Sequence, residues 1–387
     1  MNANNMIEIE MLSNNNYLKK KDKNNYKIIK RNYGIDLLRI ISMINIMNLH
    51  LNLNSGQLHL KYTSSKFYSI WRLEVFSYSA VNCFGLISGI VGYKRYKFSN
   101  LIYLWLQVCF YSISISLFLF ISNEINIKEL FLSFFPILIK RHWYVNAYFS
   151  MYLLLPFINY GINSLNRKIY RNIIIFFIFF FSIYNIIAVI FGDDNYNYLF
   201  NGYSSMWLTI LYIIGAFFGK YIIIEKNEIG VISFILYILI YISCSFLSSE
   251  IKFKLIKIKS KIPDNILINY LSPTILCQAI SLIISFSRIN IKNKHVKKII
   301  SFLTPLNFSA LLIQGRLFRT NINIIKRLFK LLNEFKSNKI YFKVYGLGII
   351  IYFLCIFIDY FRLMIFKVFK IREFCLFLEK KFSDYLI

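Results

Sequence analysis

Five prolines and fourteen glycines in 387 residues are too few for a collagen-like or proline-rich rod. Six cysteines, Cys83, Cys109, Cys244, Cys277, Cys355 and Cys375, show no Cys-x-x-Cys and no metal-ligand spacing. Five of them fall inside apolar runs and read as small core residues, so a disulfide framework or zinc site is not expected. Charged residues make up only 17%, and just 18 are acidic. The chain also lacks a P-loop, a Gly-x-Gly-x-x-Gly, a His-Glu-x-x-His and a His-x4-Asp pair, which removes the usual nucleotide, dinucleotide and zinc-hydrolase readings. Residues 1–33 are polar and rich in Asn and Lys, with no apolar stretch leading to a small-residue cleavage site, so they read as a disordered cytoplasmic tail, not a signal peptide.

What the chain has in abundance is apolar surface. Hydrophobic residues reach 57% and aromatics 19%. These roughly 220 residues would over-fill the cores of a soluble fold of this length, yet would supply about ten membrane spans of ~20 residues. Apolar segments lie at 35–53, 71–93, 100–121, 143–165, 172–191, 204–224, 230–248, 266–287, 302–321 and 341–363. Each is long enough to cross ~30 Å of hydrocarbon as a helix. The expectation is an all-α, polytopic integral membrane protein with about ten transmembrane helices in one membrane-embedded domain over 34–372, followed by a cytoplasmic tail over 373–387.

The net charge of +28 does not read as a nucleic-acid footprint, because no basic-aromatic module accompanies it and AT-rich coding favours Lys together with Asn, Ile, Tyr and Phe. In a membrane protein the same excess arises from Lys and Arg that hold loops in the cytoplasm. An even number of spans puts both termini on one side. With that side cytoplasmic, 26 of the 46 basic residues lie inside and 18 outside, which favours termini in the cytoplasm of a cell whose cytoplasmic membrane holds the protein. Thirteen of those 18 belong to the loops 249–265 and 316–343, which either face an acidic polymer or anionic headgroups or are lysine-rich through codon drift.

A charged side chain inside a span is costly and therefore a functional candidate. Six groups qualify: Asp36, Arg39, His50, Arg72, Glu74 and Asp359. Asp359 and Arg362 have the spacing of a local i,i+3 pair, and Arg72 and Glu74 lie near an outer edge. In the first span, eleven residues separate Arg39 from His50, about three turns plus 20°, so both point along one face about 16 Å apart. Asp36 lies one turn before Arg39, placed to hold its guanidinium. A lone histidine in a span is more often a hydrogen-bonder between helices than a catalyst.

The residues around His50 shift that balance. YGIDLLRIISMINIMNLHLNL resembles the first span of membrane-bound acyltransferase family three, the bacterial sugar O-acetyltransferases, which is marked by an Arg, ten residues and a His. AVNCFGLISGIVGYKRYKF resembles that family's second span with its Phe-x3-Ser-Gly turn and following basic residues (Phe84, Ser88, Gly89, Lys94, Arg95, Lys97). RHWYVNAYFSMYLLLPFIN resembles its Trp-bearing fourth span, NGYSSMWLTILYIIGAFFGKY a later stretch (Tyr203, Ser204, Trp207, Tyr212, Gly215), and FIDYFRLMIFK its closing span. The likeness covers about 33–372, in family order. Two features depart from it: FSALLIQG puts Gln314 where many members have a Tyr-Leu-x-His-type pattern, and Lys-Arg-Tyr-Lys replaces paired arginines. No extracellular hydrolase domain is seen after the spans.

The resemblance implies an integral-membrane O-acetyltransferase that moves acetyl from cytoplasmic acetyl-CoA to a hydroxyl of an envelope polysaccharide or its lipid-linked precursor, without a metal and without nucleic acid. Such a reaction needs a base, an oxyanion stabiliser and a site for the donor's phosphates. His50 is the only span histidine and the natural base. Arg39, with Lys94, Arg95 and Lys97, would meet the phosphates of acyl-CoA; alternatively Arg39 only holds the helix by pairing with Asp36. Trp143, Tyr144, Tyr148, Tyr152 and Gln314 are the candidate substrate-binding residues, although Trp and Tyr at such positions also anchor helices at the interface. His59, His142 and His295 carry no assigned chemistry. The competing class is an exporter of polysaccharide intermediates built on the same scaffold without acyl transfer.

Overall fold

The structure, a computed structural model, describes residues 31–94, 96–139, 142–192, 199–223, 231–318, 320, 323–334 and 340–385. Among them there is no strand. Helix α1, Tyr33–Asn54, starts where Asn32 accepts from the backbone N–H of Gly34 and Ile35, and the Asn32 amide also donates to Ser287 O at 2.6 Å. It is the centre of the bundle: 72% of its apolar window is buried inside the protein, against 17% for the most peripheral spans. Helices α2, Ser65–Tyr78, and α3, Ala80–Gly92, meet at Ser79 and together form one span, followed by α4, Phe98–Ile121, and the short α5, Ile127–Leu132.

After α6, Trp143–Ser164, comes α7, Arg167–Ile178, which runs through a π turn at Phe179–Ile183 into α8, Tyr184–Ile190. Helix α9, Ser205–Phe217, also ends in a π turn, Phe218–Ile222. From that turn Lys220 Nζ reaches back to Ile162 O at 3.0 Å and Leu165 O at 3.3 Å, placing a cation on the carbonyl end of α6. The chain continues as α10, Val231–Lys257; α11, Pro273–Ser287; α12, Lys294–Leu317; α13, Asn323–Glu334; α14, Ile340–Val368; and α15, Ile371–Tyr385.

Among the described residues, eight helical stretches are long and apolar enough to cross a membrane. The two remaining apolar segments, 143–165 and 266–287, are also helical but differ in kind. Helix α6 has 22 residues of mixed polarity, and α11 has only 15, because Pro273, preorganised for a first helical turn, starts it seven residues later than expected. Residues 373–385, expected as a tail, are helical in α15 and lie on α4, with Ser99 Oγ donating to Glu379 at 2.8 Å and Phe98 against Phe382. The basic loop 316–343 contains α13, whose Ile325, Leu328, Phe329 and Leu332 pack on Leu51, Ile70, Leu73 and Phe318 while Lys326, Arg327 and Lys330 face out. In the other basic loop, Lys252 is buried over the Trp71 ring at 3.7 Å and pairs with Asp264 at 2.8 Å.

Helices α3 and α9 cross with their backbones in contact. A Cβ on Gly89 would lie 2.0 Å from Tyr212 O, and one on Gly215 would lie 2.0 Å from Leu86 O. Gly85 and Gly219 continue the contact on either side. These two small-x3-small faces let the backbones touch, which is how helices associate where lipid supplies no hydrophobic drive. The fully buried pair Asp359–Arg362 ties α14 to α4: Arg362 Nε and Nη2 each donate to the carboxylate at 2.8 Å, Tyr111 OH donates to it at 2.5 Å, and Arg362 Nη1 donates to Tyr103 OH.

Two expectations follow. Gly215→Ala should abolish a monodisperse, folded species in detergent, whereas Gly346→Ala, whose added methyl meets no atom within 4 Å, should leave the melting temperature unchanged. Asp359→Asn should lower unfolding free energy by about 3–5 kcal/mol, and the apolar double variant Asp359→Leu/Arg362→Met should recover most of it, both read by thermal melts.

Candidate functional site

Helix α1 carries its polar groups at two ends of one face. At the first end, Asp36 is buried and held by two guanidiniums, with Arg31 Nε at 2.6 Å and Arg39 Nη1 at 3.0 Å. Asn307 from α12 donates to Arg39 O at 3.0 Å and fixes the backbone there. Arg39 keeps 26% of its side chain exposed, so the ion pair does not enclose it. At the other end His50 Nδ1 contacts the Gln314 amide of α12 at hydrogen-bonding range. If Gln314 donates, the imidazole proton sits on Nε2; with the amide turned so that Oε1 accepts from Nδ1–H, Nε2 is left as the basic nitrogen.

Helix α6 carries a ladder of rings. Tyr144 stacks on Tyr148 with centroids 6.2 Å apart, and Tyr148 is 5.9 Å from Tyr152. Both Tyr144 and Tyr148 lie within electrostatic reach of Arg39, and the Tyr148 hydroxyl hydrogen-bonds Ser88, which lies inside α3 and not in the turn expected from the sequence. Tyr152 OH donates to Lys97 O at 2.9 Å, and its ring lies 5.3 Å from Tyr96. Lys97 is the residue that caps α4, and Lys94 Nζ sits over the Tyr93 ring at 5.4 Å. The structure therefore gathers Asp36, Arg39, Ser88, Lys97 and the lower tyrosines near one end. Arg95 lies outside the described residues.

Trp143 occupies the opposite end. Its ring is 4.6 Å from Tyr203 and stacks at 5.9 Å on Tyr270. The preceding residue, His142, caps α6 and lies with its ring 3.2 Å from the position a Cβ on Gly315 would take. This brings a second imidazole against α12 at the residue after Gln314. Nothing in the local sequence around His142 marks it; the signal is the absence of a side chain at residue 315, which only a contact map can interpret. Ser204, at the start of α9, caps that helix by accepting from Trp207 N, and Trp207 Nε1 donates to Asn82 Oδ1 at 3.1 Å.

What the arrangement supplies chemically is a nitrogen base at one end of α1 and, at the other, a cationic group beside stacked tyrosines. Among the described residues no group of three or more His, Cys, Asp or Glu side chains has the geometry to hold a metal ion. No curated protein and no solved structure matches the chain. A family model described as an acyltransferase domain matches residues 32–360, which span α1 through most of α14 and include every polar group of the α1 face. The chain is thus a multi-pass membrane protein that belongs to acyltransferase family 3.

Proposed function

We propose that the protein transfers acetyl from acetyl-CoA to a hydroxyl group of a cell-surface polysaccharide or its lipid-linked precursor, within the cytoplasmic membrane. The observation that supports this reading is the division of the α1 face, with the Asp36–Arg39 ion pair at one end and His50–Gln314 at the other, and stacked α6 tyrosines near Arg39. The basic-residue balance supports a cytoplasmic Arg39 end with both termini on that side. Donor phosphates would meet Arg39, Lys94, Arg95 and Lys97, with Asp36 holding the Arg39 guanidinium in place. The extended pantetheine arm would then run about 16 Å along α1 to present the thioester at His50.

In this reaction His50 Nε2 accepts the proton of the acceptor hydroxyl as its oxygen attacks the thioester carbon. The tetrahedral oxyanion collapses with loss of the CoA thiolate, and the imidazolium returns the proton to sulfur, so nothing else is consumed. Gln314 acts by accepting from His50 Nδ1–H, which keeps Nε2 free; this is the orienting role that a carboxylate plays for other catalytic histidines. Trp143 and the tyrosines supply stacking faces for the acceptor ring and the acyl arm.

Mass spectrometry of purified surface glycan from wild-type and His50→Ala cells tests the reaction. Ester-linked acetyl is expected in the wild type and absent from the mutant, with polymer still exported. Acetyl present in both, or absent in both while export fails in the mutant, would replace the enzyme with an exporter. For Gln314→Leu, similar in size but unable to hold the imidazole, transfer with purified protein and acetyl-CoA should fall at least about tenfold in kcat with an unchanged donor KM. An unchanged kcat would remove Gln314 from the mechanism.

A further inference from the structure

Along the chain Cys244 and Cys277 are small residues in two separate apolar runs; in the bundle they are neighbours. Helices α10 and α11 run antiparallel, and two contacts pin their register. Phe234 lies against Phe286 with ring centroids 6.5 Å apart, and nearer the other end Ser248 Oγ donates to Thr274 Oγ1 at 2.7 Å. One turn back from Ser248 is Cys244, and one turn on from Thr274 is Cys277, so helical pitch sets the two thiols opposite each other. They hydrogen-bond each other there. From that contact the sulfurs need to close by no more than ~2 Å to reach an S–S bond of about 2.05 Å.

The pair is also accessible. Cys83, Cys355 and Cys375 are buried, and Cys83 hydrogen-bonds Ser42, whereas Cys277 is exposed and Cys244 partly so. Helix α10 is peripheral, with 17% of its apolar window buried inside the protein. Its last turns are held by polar contacts: the Ser248 bond, Lys252 to Asp264 at 2.8 Å and Arg72 to Glu250 at 2.7 Å. In the last pair Arg72 keeps 52% and Glu250 40% of its side chain exposed, and ion pairs so exposed hold a helix weakly. The Asn32 bond to Ser287 O sets the far end of α11 at the start of α1, so Cys277, one turn after Pro273, lies towards the His50 end. The basic-residue balance favours the non-cytoplasmic side for that end, where protein thiols become oxidised.

We propose that Cys244 and Cys277 are a redox modification site, converted by a disulfide-bearing oxidant into an intramolecular disulfide that fastens α10 to α11. The more exposed Cys277, as thiolate, attacks one sulfur of the oxidant and releases half of it as a thiol. Cys244, as thiolate, then displaces the other half and the S–S bond forms. The two cysteines lose two electrons and two protons, and the oxidant leaves as two thiols that carry them. The closed loop contains Asp264 and Tyr270, so the bond also restrains the segment that stacks on Trp143. None of this depends on acyl transfer.

The test uses the full chain, purified reduced in detergent and then treated with oxidised glutathione. Denaturation in N-ethylmaleimide followed by peptide mass spectrometry should show all six cysteines alkylated before oxidation, and all but Cys244 and Cys277 after it, these two joined in one linked peptide. The oxidised chain should melt about 5 °C higher than the reduced one, and dithiothreitol should reverse the rise. Cys244→Ser and Cys277→Ser should each remove both the linked peptide and the rise. The proposal is overturned if both cysteines remain alkylated after oxidation, if Cys277 stops at a glutathione adduct, or if the bond joins another cysteine or a second chain. Equal melting temperatures of the linked and reduced chains would likewise overturn the fastening.

Discussion

The contact between α3 and α9 is the one on which the positions of the other helices depend. Lipid competes as well as any side chain for apolar surface, so helices in a bilayer gain by close approach and by polar contacts between them. Gly89 and Gly215 each sit about where a methyl group would strike the facing carbonyl oxygen, and the backbones meet there. From this crossing Asn82 on α3 joins Trp207 of α9 to Tyr270 O, and Tyr212 of α9 donates to Asn159 of α6 at 2.7 Å. One crossing thereby sets the aromatic end of the molecule and the height of α6 together.

Polar groups elsewhere in the bundle divide by how they are satisfied. Asp359 and Arg362 satisfy each other with two tyrosines and leave no group for a ligand, which is the pattern of a structural tie. Asp36 is similarly enclosed by Arg31 and Arg39, but Arg39 keeps part of its surface. Gln314 is buried against His50, and Asn52 holds Glu74 while its own Oδ1 has no hydrogen-bond partner among the described residues.

Much of the fold could be read directly from the residues. Long apolar runs become helices in lipid because no other backbone form satisfies its own hydrogen bonds there. Pairs three residues apart, Asp36 with Arg39 and Asp359 with Arg362, follow from helical pitch alone. Other features needed more than pitch. Pro273 shortens α11, a local rule that a run of hydropathy hides. Helix α15 is amphipathic and finds its partner on α4, although the same residues read as a polar tail.

The sequence by itself determined the class of the molecule, its membrane-spanning helices and the Arg39–His50 face, since each depends on composition or on spacing within one helix. Tertiary structure alone decided what that face meets. Gln314 is 264 residues from His50, Glu74 is held by Asn52 across a helix pair, and Tyr203 and Tyr270 arrive from opposite sides of α9 and α10. No periodicity carries such pairings, because they are set by which helix backs onto which, and that choice was made by a few glycines.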